Sequence, residues 1–351
     1  MTRFLHVAVI DKFLPGFVEF MGARFKDFDE AHRLLVLGTD ETYPLPARPN
    51  IQVLHGRSRH LQLWQTMREA RRVFLHGLFD PAVTRVLAID RRLLRKCWWL
   101  IWGGELYDEP VSGDGLVRDI DDWSRRVVIR HVANLITHIP GDIDHARSTF
   151  GATGRAHECL LYPSNVFAPT RSTATRTDKL RVLVGNSATA TNRHLELFER
   201  LKLIRLGEHV ELIAPLSYGD ASYARTVEDR GIELFGNRFT ALRRFMPPQE
   251  YQALLQTVDI ALFNHGRQQA AGNIVQLLGY GKKVFLHPEV STWRSLQARG
   301  IVAYDVRDID LSPIDTQVAE ANMRCVEQHY SAEALERQWR QLTSEPEGEL
   351  R

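Results

Sequence analysis

Short apolar runs rich in β-branched residues and leucine alternate along the chain with longer stretches in which apolar positions recur every three to four residues. That alternation belongs to strand–helix–strand units, in which a parallel sheet is covered by helices on both faces, so the expected fold class is α/β. In the first half the runs predict strands at FLHVAVI (4–10), RLLVLG (33–38), IQVLHG (51–56), VFLHG (73–77), CWWLIWG (97–103) and LITHI (135–139). The segment PSNVFAPTRSTATRTDK (163–179) has no period of its own and is rich in Ser, Thr, Pro and charge, which reads as a linker. The pattern then restarts at RVLVGNS (181–187), VELIAP (210–215), ELF (233–235), DIALFNH (259–265), KVFLH (283–287) and VAYDV (302–306). A long amphipathic helical stretch (315–343) and a frayed tail, SEPEGELR, follow. Two doubly wound, Rossmann-like domains facing each other over a cleft are therefore expected: 1–170, then 171–314, with 315–351 packing back toward the first.

Composition removes several classes of function. With 351 residues, 44% apolar and 25% charged, the chain has material for a sizeable core. Its net charge of +2, from 45 basic and 43 acidic residues, is too small for a protein whose main work is gripping nucleic acid. Cys97, Cys159 and Cys325 lie far apart without CxxC or zinc-ligand spacing, as suits a reducing compartment. The seven-residue run before Asp11 and Lys12 is too short for a secretory leader, and nowhere do about 18 apolar residues follow one another. The expected location is cytoplasmic, at most peripheral on a membrane. One segment, 57–99, holds ten basic against three acidic residues, a local net of +7 that suits anionic headgroups or simply a solvated helix face.

In open parallel sheets ligands bind beyond the carboxyl ends of the strands, so the residues after each run carry the candidate chemistry. After RVLV comes GNSATATNRH: Gly185 lets a ligand approach the backbone, Asn186, Ser187 and Asn192 offer hydrogen bonds, and a helix N-terminus adds positive potential. The bland reading is a capped strand-to-helix turn. After DIALF comes NHGRQQAAGN, where Arg267 pairs with phosphate in bidentate fashion and the amides around 270–272 hold further phosphate oxygens, beside Gln268, Gln269, Gly272 and Asn273. Neither a Walker GxxxxGK[ST] nor a GxGxxG is present, and the bland reading is a helix cap with a solvated arginine. Tyr218, just past VELIAP, joins the donor-side candidates.

In the first half, WLIWGGELYDEP closes a strand with a Gly103–Gly104 turn that presents Glu105, Tyr107 and Asp108, while Trp102 and Tyr107 offer flat surfaces to a sugar. Glu105 and Asp11, the latter at the end of the first strand, are the two candidate bases; each is also an ordinary cap or turn residue type. His76 is an acceptor-side candidate, whereas His6 reads as a satisfied buried histidine.

These stretches together resemble the family of TDP-4-acetamido-4,6-dideoxygalactose (N-acetylfucosamine) transferases of enterobacterial common antigen synthesis, also called 4-alpha-L-fucosyltransferases or glycosyltransferase family 56. The resemblance rests on FLHGLFDP (74–81), IWGGELY (101–107), LVGNS with TNRH (183–194), YQALL (251–255) and GRQQAAG (266–272), in the family's order. It implies a GT-B glycosyltransferase with the donor nucleotide on the second domain and the acceptor on the first. By position, Gly185, Asn186, Ser187, Arg267, Gln268, Gln269 and Gly272 would hold a TDP-sugar, and Trp102, Gly103, Glu105 and Tyr107 would face the acceptor, an undecaprenyl-diphosphate-linked saccharide at the inner membrane. No separate cofactor and no metal are implied, and no DxD metal motif accompanies these stretches. The base would lie near Phe245 and Met246. The family's WGADLY reads WGGELY here and its ARQQGIG reads GRQQAAG, departures that bear on sugar and acceptor identity. Other readings of two α/β lobes are a GT-B-like sugar-nucleotide epimerase or hydrolase, and a periplasmic-type sugar-binding protein, against which the lack of a leader counts.

Overall fold

The structure, a computed structural model, describes residues 3–38, 43–56, 58–107, 115–169, 178–204 and 206–344. Two compact units divide the chain: Met1–Ser164 with Leu335–Arg351, and Asn165–Ala334.

The first unit is built on seven parallel strands, β1 (Phe4–Val9), β2 (His32–Leu37), β3 (Ile51–Leu54), β4 (Arg72–His76), β5 (Cys97–Leu100), β6 (Asn134–Thr137) and β7 (Arg155–Glu158), in the order β3-β2-β1-β4-β5-β6-β7. The second has six, β8 (Leu180–Val184), β9 (Val210–Pro215), β10 (Phe239–Leu242), β11 (Ile260–Phe263), β12 (Lys283–Leu286) and β13 (Tyr304–Asp305), in the order β10-β9-β8-β11-β12-β13. Every strand pair is parallel. Central strands read as unbroken apolar runs because both faces are covered: the side chains of Ile260 to Phe263 are all buried, as are those of Val284 to Leu286. Each order reverses direction once, between β1 and β4 in the first sheet and between β8 and β11 in the second, and such switch points open a crevice at the carboxyl ends.

Three elements differ from the sequence expectation. ELF (233–235) is the last turn of the helix Ala221–Phe235, and the strand follows at Phe239–Leu242. Ala224, Val227, Gly231 and Phe235 form that helix's buried stripe, and the missing side chain of Gly231 leaves room for the Phe239 ring. β7 went unpredicted because RAHE is polar and lies at the sheet's edge. The stretch 315–343 is two helices, Thr316–His329 and Ala332–Thr343, with Ser331 Oγ accepting from the amide of Ala334 at the second start. The first belongs to the second unit and the other, from Leu335, to the first unit, where Trp339 is wholly buried and donates Nε1–H to the carbonyl of Leu161 at 3.1 Å. Of the expected linker, 170–177 lies outside the described residues, whereas Phe167 is fixed in the second unit by its amide donating to the carbonyl of Tyr330 and by its ring filling the space over Gly279.

Candidate functional site

In the second unit three loops at the carboxyl ends of β8, β9 and β11 are sewn together. Gly185 leaves β8 with φ +68°, and a Cβ there would stand 2.4 Å from Nε2 of His194, so only glycine makes this turn. Asn192 is buried and serves the loop itself: its Oδ1 accepts from the amide of Asn186 at 3.1 Å while its Nδ2 donates to the carbonyls of Ser187 and Thr189. The β11 loop is tied on by the amide of Gly266 donating to the carbonyl of Thr191 and by Gln269, which accepts from Thr191 Oγ1 at 2.7 Å and donates to Asn186 Oδ1 at 3.2 Å. Asn186 in turn donates to the hydroxyl of the half-exposed Tyr218 at 3.0 Å. Next to it Gly219, at φ +110°, packs its α-carbon against the carbonyl of Ala188.

This scaffold holds the groups that suit a diphosphate. Ala270 takes the left-handed conformation, φ +60°, and starts the helix Ala271–Gly279, whose first-turn amides carry positive potential. Gly272 lies in that turn, Asn273 donates to the hydroxyl of Tyr251 at 2.9 Å, and Gln268 is half-buried before it. The Arg267 guanidinium is near enough to act on both Tyr218 and His265. His265 is pushed down to about 3 and His194 to about 4, chiefly by burial, so both rings are neutral. Asn264 was not singled out in the sequence. It is 0% exposed, yet neither its oxygen nor its nitrogen has a hydrogen-bond partner among the described residues. Buried amides are nearly always satisfied, which sets this one apart at the foot of the β11 loop. Phe245 is 70% exposed just past β10.

In the first unit Asp11, past the end of β1, accepts at Oδ1 from the amides of Phe13 (3.0 Å) and Leu14 (3.1 Å), capping the helix Leu14–Arg24. Partial burial raises its carboxyl above the usual value, against the pull of those amides. The Phe13 ring packs on Trp102 and on Tyr162, and Trp102 Nε1–H donates to the Tyr162 hydroxyl at 3.1 Å. Tyr162 follows β7, whose polar sequence RAHE gives no strand signal, and the left-handed Leu161, φ +69°, marks the sharp turn. Gly103, at φ +94°, turns β5 into the short helix Gly104–Tyr107.

Glu105 has a different setting from the one its motif suggested. It is 4% exposed, its Oε1 accepts from Trp99 Nε1 and from the amide of Trp102, both at 3.1 Å, and its main-chain oxygen accepts from Arg125. It braces the turn from inside. His76 likewise is buried with both ring nitrogens engaged, by His6 and Tyr162, and presents no spare group to an acceptor. Asp108 and the side chain of Tyr107 lie outside the described residues.

The family described as 4-alpha-L-fucosyltransferase glycosyl transferase group 56 matches residues 28–347. The chain belongs to this family. It is a glycosyltransferase of GT-B fold. HepE of Anabaena, solved with UDP and glucose, has a similar fold at TM-score 0.65 and 12% identity, over 97% of this chain and 99% of that one. Sucrose-phosphate synthase of Thermosynechococcus elongatus gives TM-score 0.62 at 12% identity over 97% and 98% of the two chains. MnaA of S. aureus, solved with UDP, gives 0.58 at 13% over 99% of each.

Burial pushes the Glu105 carboxyl of this transferase up from its ordinary 4.5 to about 7, with the amide of Trp102 opposing and Asp142 adding to the rise. Between those pH values the folded chain keeps a proton that the unfolded chain has lost, so stability falls as pH rises through the window. The loss is about 3 kcal/mol by pH 8. Glu105→Gln keeps the acceptor oxygen for Trp99 and Trp102 and cannot ionise. Its Tm should equal that of the wild type near pH 4.5 and exceed it at pH 8 in parallel thermal melts.

Proposed function

We propose that this transferase moves a deoxy-amino sugar, N-acetylfucosamine-like, from a TDP-sugar to a lipid-linked saccharide in bacterial surface polysaccharide synthesis. The observation that carries the reading is the cradle at the second sheet's switch point: Arg267, the amides opening Ala271–Gly279 and the unsatisfied Asn264. The family's 4-alpha-L-fucosyl description points to a deoxyhexose, and the UDP held by HepE and MnaA points to a nucleotide diphosphate.

The chemistry follows from where charge develops. As the glycosidic C–O bond breaks, negative charge grows on the departing diphosphate, and the guanidinium and helix amides, fixed before the event, stabilise it without requiring a metal. Gln269, Asn186 and Tyr218 hold the loops in register beside it. On the acceptor side Asp11 takes the hydroxyl's proton, beside the Phe13 and Trp102 rings as a platform for sugar. Asp11 is preferred to Glu105 because it is partly open to solvent while Glu105 is sealed in its turn. A thermal-shift panel of TDP, UDP and GDP, followed by transfer assays with the stabilising nucleotide's sugar, tests the reading. TDP should raise Tm most, and incubation with donor alone should yield neither epimer nor free sugar. Stabilisation by no nucleotide would overturn it.

A lipid-linked acceptor requires contact with a membrane surface. No helix of the described residues is long and apolar enough to cross one. Within 57–99 much of the basic charge is already engaged, Arg59 with Asp80, Arg85 with Asp121 and Arg92 with Asp90, and Arg57 lies outside the described residues. A better candidate surface is the helix Leu116–His131, whose Leu116, Val117, Ile120 and Trp123 are all exposed along one side. The wild type should float with vesicles containing anionic lipid. Ile120→Ser with Trp123→Ser should reduce the bound fraction at least tenfold, and an unchanged fraction would reject this surface.

A further inference from the structure

Three buried histidines cross the first sheet in single file. His32 opens β2 level with Phe4, His6 sits mid-strand in β1, and His76 closes β4 level with Ala8. Side chains alternate between faces, so positions 4, 6 and 8 of β1 and their partners share one face. The file therefore runs diagonally from the amino edge of the sheet to the carboxyl edge, spanning about 13 Å along the strands.

Their rings are linked end to end. His32 Nδ1 lies 2.9 Å from His6 Nε2, His6 Nδ1 lies 2.9 Å from His76 Nε2, and His76 Nδ1 lies 2.5 Å from the hydroxyl of Tyr162. Around them are apolar and aromatic groups: Phe17 and Trp339 against His6 and His76, Phe74 stacked on His6, and Phe4, Phe25 and Phe28 on His32. Leucine or valine would fill this face at less cost, and imidazoles in contact here need a reason. Among the described residues, charged groups act on the file only at its ends. Asp27 and Arg3 act on His32, beside a surface hollow that Asp29, Glu30 and Arg33 help to line, while Asp11 and Glu105 act on Tyr162.

We propose that His32, His6 and His76 form a proton path that joins Tyr162 to the hollow at the opposite edge of the sheet. Its use in sugar transfer rests on the reading of Asp11 as the base. Burial holds all three rings well below their ordinary protonation range, so the path works through neutral imidazoles, each with one N–H. Two polarities satisfy every bond: the protons point from Tyr162 toward His32, or all point back. Once Asp11 has taken the acceptor's proton, its O–H bond breaks as a bridging water takes that proton and gives one of its own to the Tyr162 oxygen. The Tyr162 proton then moves to His76 Nδ1, the His76 Nε2 proton to His6 Nδ1, the His6 Nε2 proton to His32 Nδ1, and the His32 Nε2 proton to water in the hollow. One proton enters, one leaves, and each ring is neutral before and after. When product has left and water fills the site, a proton from water in the hollow runs back along the same bonds to water in the site, which restores the first polarity: one proton is carried out during transfer and one is returned between turnovers.

The test uses the full-length protein. Nitrogen-15 NMR at pH 7 should show the three rings neutral and in one matched set of tautomers. His32→Gln, which satisfies the neighbouring ring but passes no proton, should change the tautomer ratio of His76, a ring it does not touch. In transfer assays His32→Gln, His6→Gln and Tyr162→Phe should each lower kcat at least tenfold with KM within twofold, and their rates should rise with buffer concentration where the wild type's does not. An unchanged His76 tautomer ratio in His32→Gln, or kcat within twofold of wild type in both histidine variants, would overturn the path. Should the wild type move no sugar from any donor, the proposed transfer fails, and the NMR coupling still decides the path. His6→Gln alters the core, so His32→Gln at the sheet edge carries the test if it misfolds.

Discussion

Asp11→Asn should fold and bind nucleotide as the wild type does and transfer sugar two to four orders of magnitude more slowly. Its Oδ1 still accepts from the amides of Phe13 and Leu14, so the helix cap survives, and what is lost is a group able to take a proton. The KM for donor should stay within twofold, because the residue belongs to the acceptor side. Glu105→Gln provides the contrast: a carboxyl sealed against Trp99 and the Trp102 amide is expected to lose less than tenfold in kcat. Reversal of the two results would move the base to Glu105. The raised carboxyl of Asp11 also sets a sign. Activity falls on the acid side as the carboxylate is protonated, and the midpoint of that limb should lie above the ordinary carboxylate value in a kcat/KM profile.

Arg267→Ala should weaken nucleoside diphosphate binding by about 10- to 150-fold, the equivalent of losing 1.5–3 kcal/mol of charge-assisted hydrogen bonding. The thermal shift produced by TDP should shrink accordingly, while the unliganded Tm changes little. Titration calorimetry of both proteins with TDP checks the ratio directly. Binding within threefold of wild type would place the diphosphate elsewhere. Removing a like charge from beside His265 should also let that buried ring protonate more readily, which gives an NMR reading independent of ligand.

Much of the architecture was legible because parallel strands covered on both faces must be apolar throughout. The runs beginning at Phe4, Val73, Arg181 and Lys283 therefore stood out, and the residues after them led to Asn186, Gln269 and Arg267. Legibility stopped where local pattern and tertiary role part. RAHE forms an edge strand that needs no apolar run, so Tyr162 beyond it follows no visible strand end. ELF looked extended because three residues cannot display a helical period, and Gly231 concealed the stripe they belong to. The histidine file joins partners 26 and 70 positions apart, and no spacing along a chain announces a bond made across three strands. Asn264 was hidden for another reason: a buried amide lacking partners is a property of packing, invisible until the surrounding atoms are placed.

The return of Leu335–Arg351 to the first unit carries a consequence for biosynthesis. The ribosome releases the first seven strands long before the helix that seats Trp339 against His6 and His76. At about 5–20 residues per second, the intervening unit of roughly 170 residues takes about 10–30 s to emerge. For that interval the nascent N-terminal sheet has an open aromatic face, and the later-made half completes its fold before the earlier one. The final helix thus acts as a closing seal, and a chain cut short before it would be recognisable to chaperones and proteases by the face left uncovered.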